Sequence, residues 1–135
     1  MRRSLFLTLC LLVFCVLVAA QEEAEYEELM ETTNQMMGSL ALNIQGKDGT
    51  AAREDSKTLD RLFAQIYAFF EKKNVTDAMQ FAKNAAVGFR EAGDLASAGK
   101  FQEALAKFHA TRSNCDGCHE AHRERAADGS WKIKY

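Results

Sequence analysis

Length, composition and charge already narrow the class of this chain. Its 135 residues suffice for one domain, and the 47% share of hydrophobic residues supports a compact core rather than a disordered chain. The sequence has no proline, and its few glycines fall mostly at segment ends, whereas a β-rich protein of this size needs many turns. The 17 basic and 19 acidic residues form no clustered basic face of the kind that nucleic-acid binding requires. Composition therefore favours long helices and argues against nucleic acid as a partner.

The first part of the chain has the pattern of a cleaved signal peptide. Arg2 and Arg3 give it a positive start, residues 5–18 are almost wholly apolar, and small residues lead up to Ala20. A retained membrane anchor is the alternative, but the apolar run is shorter than the roughly 20 residues that a spanning helix needs. We therefore predict cleavage after Ala20, export to the periplasm, and a mature domain over 21–135 that has no stable membrane anchor.

In the mature chain, apolar residues recur at three- and four-residue steps, which is the spacing of one face of a helix. The Glu-rich residues 22–28 predict the start of a first helix, because negative charge suits the N-terminal end of the helix dipole. This helix is predicted to end near Gly46. The polar residues 46–54 are interpreted as a loop, and a second helix is predicted over 55–73.

A third helix is predicted to begin at an Asn74 N-cap and to end near Ala92, with Gly93 as its C-cap. Asp94 is then interpreted as the N-cap of a fourth helix, which runs into the cysteine-containing segment. The tail over 126–135 is interpreted as a loop or a frayed end. Four amphipathic helices with short connections predict an all-α fold, an antiparallel four-helix bundle.

The stretch Cys-Asp-Gly-Cys-His near the C-terminus carries the chemistry. Cys10 and Cys15 leave with the signal peptide, so Cys115 and Cys118 are the cysteines of the mature chain. Two thiols at this spacing can each add to one vinyl group of a single porphyrin, and the adjacent His119 then binds the iron through its neutral imidazole. On a helix the three side chains share a face. The motif therefore predicts one covalently attached haem c.

Three other interpretations of this motif are open. A disulfide oxidoreductase site normally lies at a strand-to-helix turn of an α/β fold, which the predicted helices do not supply. Zinc could be bound by the two cysteines with His119 and His122, but the gap between these histidines is tighter than the usual three to five residues. A structural disulfide would close so short a loop that it would stabilise the fold little. Export and the adjacent histidine favour haem.

With this motif near the C-terminus, the chain resembles the family of cytochromes c′ and c556, which are periplasmic haem proteins. That family carries the motif on the last helix of a four-helix bundle. The resemblance covers the mature chain in length and helix order. Its sharp points are the Cys-x-x-Cys-His motif, Arg123 four residues after the histidine, and a residue pattern within the first helix that ends in Met37-Gly38. The family commonly has an aromatic residue where His122 stands.

The resemblance also implies what occupies the sixth position of the iron. The family fills it from the first helix, with methionine in the c556 type and with an apolar residue in five-coordinate cytochromes c′. Counting back eight residues from Gly38 by the family pattern lands on Met30. The alternative is that Met30, Met36 and Met37 all pack in the core, which is the usual role of methionine on an amphipathic stripe. Met79 is interpreted as core.

Three further polar residues lie near the motif. Arg123 matches a basic residue that the family keeps beside the haem, where its charge could stabilise a propionate; a solvated surface arginine is the alternative. His109 is almost opposite His119 in helical phase, which predicts that it faces solvent or a propionate. His122 is too near His119 in the same helix to reach the other face of the haem.

These features predict a periplasmic monohaem cytochrome that carries electrons to or from a redox partner protein, with His119 and Met30 as iron ligands. No motif for catalysis stands out, so an enzyme is not predicted. The alternative is a five-coordinate, gas-binding protein for NO or CO, as in cytochromes c′. The family often forms homodimers through its first two helices, and the resemblance allows one here.

Overall fold

The computed structural model describes residues 21–135 in full, so the predicted signal peptide and its cleavage site at Ala20 lie outside the described residues. Four helices are followed by two short strands. The helices are α1 (Arg2–Gln45), described here from Gln21 onward, α2 (Gly49–Lys72), α3 (Thr76–Ser97) and α4 (Phe101–His122); the strands are β1 (Arg123–Arg125) and β2 (Trp131–Ile133). Within residues 21–135, no helix is both long and apolar enough to span a membrane.

The helices pack as the four-helix bundle that the sequence predicts. Small residues bring α2, α3 and α4 close together, because buried alanines let helix backbones approach: Ala52 on α2, Ala78, Ala82, Ala85, Ala92 and Ala96 on α3, and Ala104 on α4. The ring of Phe89 lies between those of Phe63 and Phe108, at centroid distances of 5.6 and 5.4 Å. By contrast, α1 packs mainly on α2 and makes few close contacts with α4. A gap therefore remains between α1 and α4.

The start of α2 differs from the prediction. Residues 49–54 were predicted as a loop, but they form the first turns of the helix, which begins at Gly49. The Asp48 side chain accepts a hydrogen bond from the backbone N–H of Ala51 at 2.9 Å and so caps the helix. Thr50, Arg53 and Glu54 are exposed, Gly49 and Ala51 are half-buried, and Ala52 is buried. A polar, solvent-facing first turn has the composition of a loop, and this is why the sequence pattern misplaced the boundary.

The predicted break at Gly93 and Asp94 is also wrong, because α3 continues through both residues to Ser97. Gly93 is buried where α3 crosses α2, and a Cβ atom there would overlap the side chain of Ser56. The glycine therefore permits close packing rather than ending the helix. The chain turns at Gly99, which has a φ of 76°, a conformation that glycine adopts without strain.

The predicted cap residue Asn74 lies just before the observed start of α3. Val75 holds the N-cap position, and its side chain makes no capping hydrogen bond. Asn74 instead has a φ of 58°, in the left-handed region that asparagine tolerates better than most residues. It therefore turns the chain between α2 and α3, which is a structural role different from the one predicted.

The tail is ordered as a β-hairpin, so its interpretation as a loop or frayed end is wrong. The strands β1 and β2 pair antiparallel, with Arg123 opposite Ile133 and Arg125 opposite Trp131. Gly129 turns the chain with a φ of 84°, and the Asp128 carboxylate accepts a hydrogen bond from the Ser130 backbone N–H at 3.0 Å. The hairpin follows α4 directly and folds back beside the gap between α1 and α4.

Candidate functional site

A cavity of about 610 Å³ occupies the gap between α1 and α4. Cavities that bind cofactors and other small molecules commonly have this size, with apolar walls and a few convergent polar groups. Its walls come from all four helices and the hairpin. The apolar part of the lining is provided by Phe63, Ile66 and Phe70 of α2, by Phe81, Ala82 and Ala85 of α3, and by Ile133 of β2.

The α4 wall of the cavity carries the whole Cys-x-x-Cys-His motif. Cys115, Cys118 and His119 all line it, because their spacing places them on one face of the helix. Between the cysteines, Gly117 lies against the ring of Phe81, which a Cβ atom would approach to 2.9 Å. The glycine therefore lets α3 approach α4 closely at the motif.

Burial sets the protonation of these three groups. It raises the pKa of the Cys115 and Cys118 thiols to about 11 each, so that both are neutral near pH 7. Burial also lowers the pKa of His119, and the positive charge of Arg123 lowers it further. The His119 imidazole is consequently neutral near pH 7, which is the form that binds a metal ion.

The α1 wall carries two of the methionines singled out in the sequence. Met30 and Met37 both line the cavity, as their shared helical face predicts, whereas Met36 is half-buried against the core. The Met37 sulfur lies 4.0 Å from the Cys115 sulfur, so this methionine packs beside the motif. Met79, interpreted as core, packs against the core from α3. The structure thus brings Met30 into the same cavity as the cysteines and His119.

Tyr26 is a cavity residue to which the sequence pattern assigned no role. It lies one turn before Met30 on α1, and its ring stacks on Phe69 with centroids 4.2 Å apart. The ring also meets the edge of Phe70 at 5.6 Å. Burial raises the pKa of the Tyr26 phenol, so it stays protonated. Its spacing of four residues from Met30 is the signal in the sequence that could have marked it.

Charged residues stand at the rim. On the α1 side, Glu23, Glu27 and Glu31 follow one another at helical spacing. On the hairpin side, the rim carries Arg123 of β1 and Lys132 of β2. Arg123 is half-buried and its guanidinium lies over the Trp131 ring, 3.7 Å from the centroid. It is therefore part of the cavity wall rather than a fully solvated surface arginine.

The two remaining histidines have different environments. His109 is exposed on α4, as its helical phase predicts. His122 is 9% exposed, with its ring 5.7 Å from that of Phe70. Its Nδ1 lies 3.0 Å from the backbone oxygen of Lys134, and its Nε2 lies 3.0 Å from a carboxylate oxygen of Asp77. His122 therefore connects the end of α4 to the hairpin and to α3.

Two of the alternative chemistries find little support in this geometry. A reactive Cys-x-x-Cys pair needs a lowered thiol pKa, whereas burial raises the pKa of both cysteines within α4. Among the side chains of 21–135, no three of Cys, His, Asp and Glu converge in an arrangement that could hold a metal ion by themselves. A zinc site formed by the two cysteines with His119 and His122 is therefore disfavoured.

The cavity combines two neutral thiols, a neutral imidazole and the thioethers of Met30 and Met37 in mainly apolar surroundings. These groups fit a flat, largely apolar cofactor that carries a metal ion, because the thiols offer covalent attachment and the imidazole and thioethers are metal donors. No protein-family model, curated protein or solved structure matches this chain.

Proposed function

We propose that this chain is an exported monohaem c-type cytochrome that acts as an electron carrier. One observation carries the proposal: a single cavity brings together Cys115, Cys118 and His119 of α4 with Met30 of α1. The motif and the methionine are far apart in the sequence, and only the packing of the two helices makes them neighbours. These side chains are the ones that a six-coordinate haem c would use for attachment and as iron ligands.

The α4 side would attach the cofactor. Cys115 and Cys118 would each form a thioether bond to it, and Gly117 between them leaves room for the ring of Phe81 beside the motif. His119 offers a neutral imidazole as the first iron ligand, because burial and the Arg123 charge both lower its pKa. When bound, the haem iron supplies one-electron redox chemistry.

The α1 side would complete the site and make it suited to electron transfer. Met30 would offer its thioether as the second protein ligand of the iron and so close the position at which a gas would bind. The phenylalanines and aliphatic residues of the lining exclude water, and Arg123 and Lys132 at the rim balance the carboxylates of the cofactor. The protein would exchange electrons with a partner protein and carry out no catalysis itself.

The test is the visible absorption spectrum of the mature chain, produced together with a cytochrome c maturation system and reduced with and without carbon monoxide. We expect a sharp low-spin haem spectrum that carbon monoxide leaves unchanged. A high-spin spectrum that carbon monoxide shifts would instead support the five-coordinate, gas-binding alternative. A product without a Soret band would contradict both functions.

Replacing Met30 by alanine tests the sixth ligand. The variant should give a high-spin spectrum that responds to carbon monoxide, because the position that the thioether filled becomes accessible. Met36→Ala is the matched control, since Met36 is likewise half-buried on the same helix and packed against the core but does not line the cavity. A Met30→Ala spectrum identical to that of the parent protein would rule Met30 out as a ligand.

A further inference from the structure

The C-terminal hairpin forms part of the wall of the cavity. Trp131, Lys132 and Ile133 of β2 all line it. The guanidinium groups of Arg123 and Arg125 both lie over the Trp131 ring, at 3.7 and 4.2 Å from its centroid. These contacts hold the indole within the hairpin, at the side of the cavity where α4 ends. If the hairpin moved away, this side of the cavity would open to water.

The hairpin is fastened to the bundle at His122, the last residue of α4. The backbone oxygen of His122 accepts a hydrogen bond from the Lys134 N–H at 2.9 Å, and its Nδ1 lies 3.0 Å from the Lys134 oxygen. Because a carbonyl oxygen only accepts hydrogen bonds, Nδ1 must carry the proton in this contact. The backbone and the side chain of one residue thus hold the same end of β2.

The His122 ring is itself held from the other side. It is buried against Phe70 of α2, and its Nε2 lies 3.0 Å from a carboxylate oxygen of Asp77 on α3, although outside hydrogen-bond alignment. Desolvation acts to raise the pKa of Asp77, but the nearby His122 ring and backbone N–H groups lower it by more, so the pKa lies below its usual value and the carboxylate stays ionised. Contacts with α2 and α3 therefore position the ring from the side of the bundle.

We infer that His122 is a positioning residue of the cofactor site: it fastens the hairpin as a wall that shields the haem from water, and so raises the reduction potential without touching the iron. This inference rests on the proposed function. Ferric haem carries one more positive charge than ferrous haem, and water stabilises the more highly charged form. Opening the wall therefore favours the ferric state and lowers the potential.

Three variants of the haem-loaded mature protein separate this role from general stability. His122→Phe keeps an aromatic ring against Phe70 but removes both polar contacts. His122→Asn keeps an amide N–H near the position of Nδ1 and should retain the bond to the Lys134 oxygen. Lys134→Pro removes the N–H that donates a hydrogen bond to the His122 backbone oxygen. Lys134 is exposed and lies outside the helices, so this change leaves the bundle itself untouched.

Hydrogen exchange and the reduction potential are measured on each variant, with helix content as the control for folding. In His122→Phe and in Lys134→Pro we expect hairpin amides to exchange about tenfold faster or more, and the potential to fall. His122→Asn should restore both values towards those of the parent protein.

Unchanged exchange of the hairpin in His122→Phe would overturn the fastening role. Faster exchange with an unchanged potential would overturn the shielding role. A mature chain without haem would contradict the proposed function alone, because exchange of the hairpin amides still measures whether His122 holds β2 in that protein.

Discussion

At the scale of single residues, Cys115 and Cys118 have thiols whose protonation depends on burial in the wall of the cavity. Burial raises the pKa of each from 9.0 to about 11. The neutral thiol is the form that the fold favours, so its contribution to stability is present below pH 9 and is lost as the pH rises towards 11. The same shift makes the two thiols poor nucleophiles at neutral pH, in contrast to those of a disulfide oxidoreductase.

This shift predicts slow alkylation of the haem-free protein. At pH 7.5, iodoacetamide should react with the folded chain about a hundredfold more slowly than with an unperturbed thiol, because a rise of two units in the pKa reduces the thiolate fraction by that factor. The rate should increase steadily up to about pH 11. The measurement is mass spectrometry of Cys115→Ser and Cys118→Ser in the domain 21–135, where each variant retains one thiol. Rapid alkylation at neutral pH would contradict the raised pKa and support a redox site.

At the scale of helices, two glycines that occupy helix interiors have opposite surroundings. Gly93 on α3 is buried against Ser56 on α2, whereas a Cβ atom at Gly38 on α1 would meet no atom within 4 Å. A methyl group therefore has space at Gly38 and none at Gly93. Close packing of α3 on α2 consequently requires a glycine at position 93, whereas no contact requires one at position 38.

Substitution by alanine should separate these two glycines. Gly38→Ala should stabilise the protein by up to about 1 kcal/mol through helix propensity. Gly93→Ala should destabilise it by about 1–3 kcal/mol, because the overlap with Ser56 outweighs the same gain. Chemical denaturation of both variants measures the free energies of unfolding. Equal effects at the two positions would contradict the close packing of α3 on α2 at Gly93.

The early start of α2 gives a second prediction at this scale. Asp48→Ala removes the side chain that caps the helix and should reduce the free energy of unfolding by about 0.5–2 kcal/mol. Asp60→Ala is the control, since it removes only an exposed ion pair with Arg90, which contributes less than about 1 kcal/mol. Thermal or chemical unfolding measures both. A smaller effect at Asp48 than at Asp60 would favour the later helix start that the sequence pattern predicted.

At the scale of the whole molecule, the bundle has a tightly packed part and an open part. The faces shared by α2, α3 and α4 are filled by alanines and phenylalanines, while α1 and α4 enclose the cavity. Phe70 is 1% exposed and lies where these parts meet, in contact with the rings of Tyr26, Phe69 and His122. Phe89 is equally buried but contacts Phe63 and Phe108, away from the hairpin.

Truncating these two phenylalanines should cost similar stability but affect different regions. Phe70→Ala and Phe89→Ala should each reduce the free energy of unfolding by about 3–5 kcal/mol. Only Phe70→Ala should also alter the fluorescence of the haem-free protein, because the chain contains one tryptophan, Trp131, and it lies in the hairpin that His122 fastens. A change of fluorescence in folded Phe89→Ala, with none in Phe70→Ala, would contradict this division of the molecule.

The sequence by itself determined the features that depend on local spacing. Helix periodicity reports which residues share a face, so the four-helix bundle and the common face of Met30 and Met37 were predictable. The Cys-x-x-Cys-His motif was recognisable because its residues lie within five consecutive positions, so that their spacing can be read directly from the sequence. The end of α1 near Gly46 was also predictable, since the apolar repeat stops there.

Only the tertiary structure decided what depends on contacts between distant segments. Gly93 looked like a helix end until its position against Ser56 showed why a side chain is excluded there. His122 contacts Asp77 and Phe70 in the bundle and Lys134 beside a hairpin that the sequence pattern had interpreted as a loop or a frayed end. The convergence of Met30 with His119 in one cavity likewise follows from how α1 packs against the rest of the bundle. Such contacts join residues far apart in the chain, and no local periodicity records them.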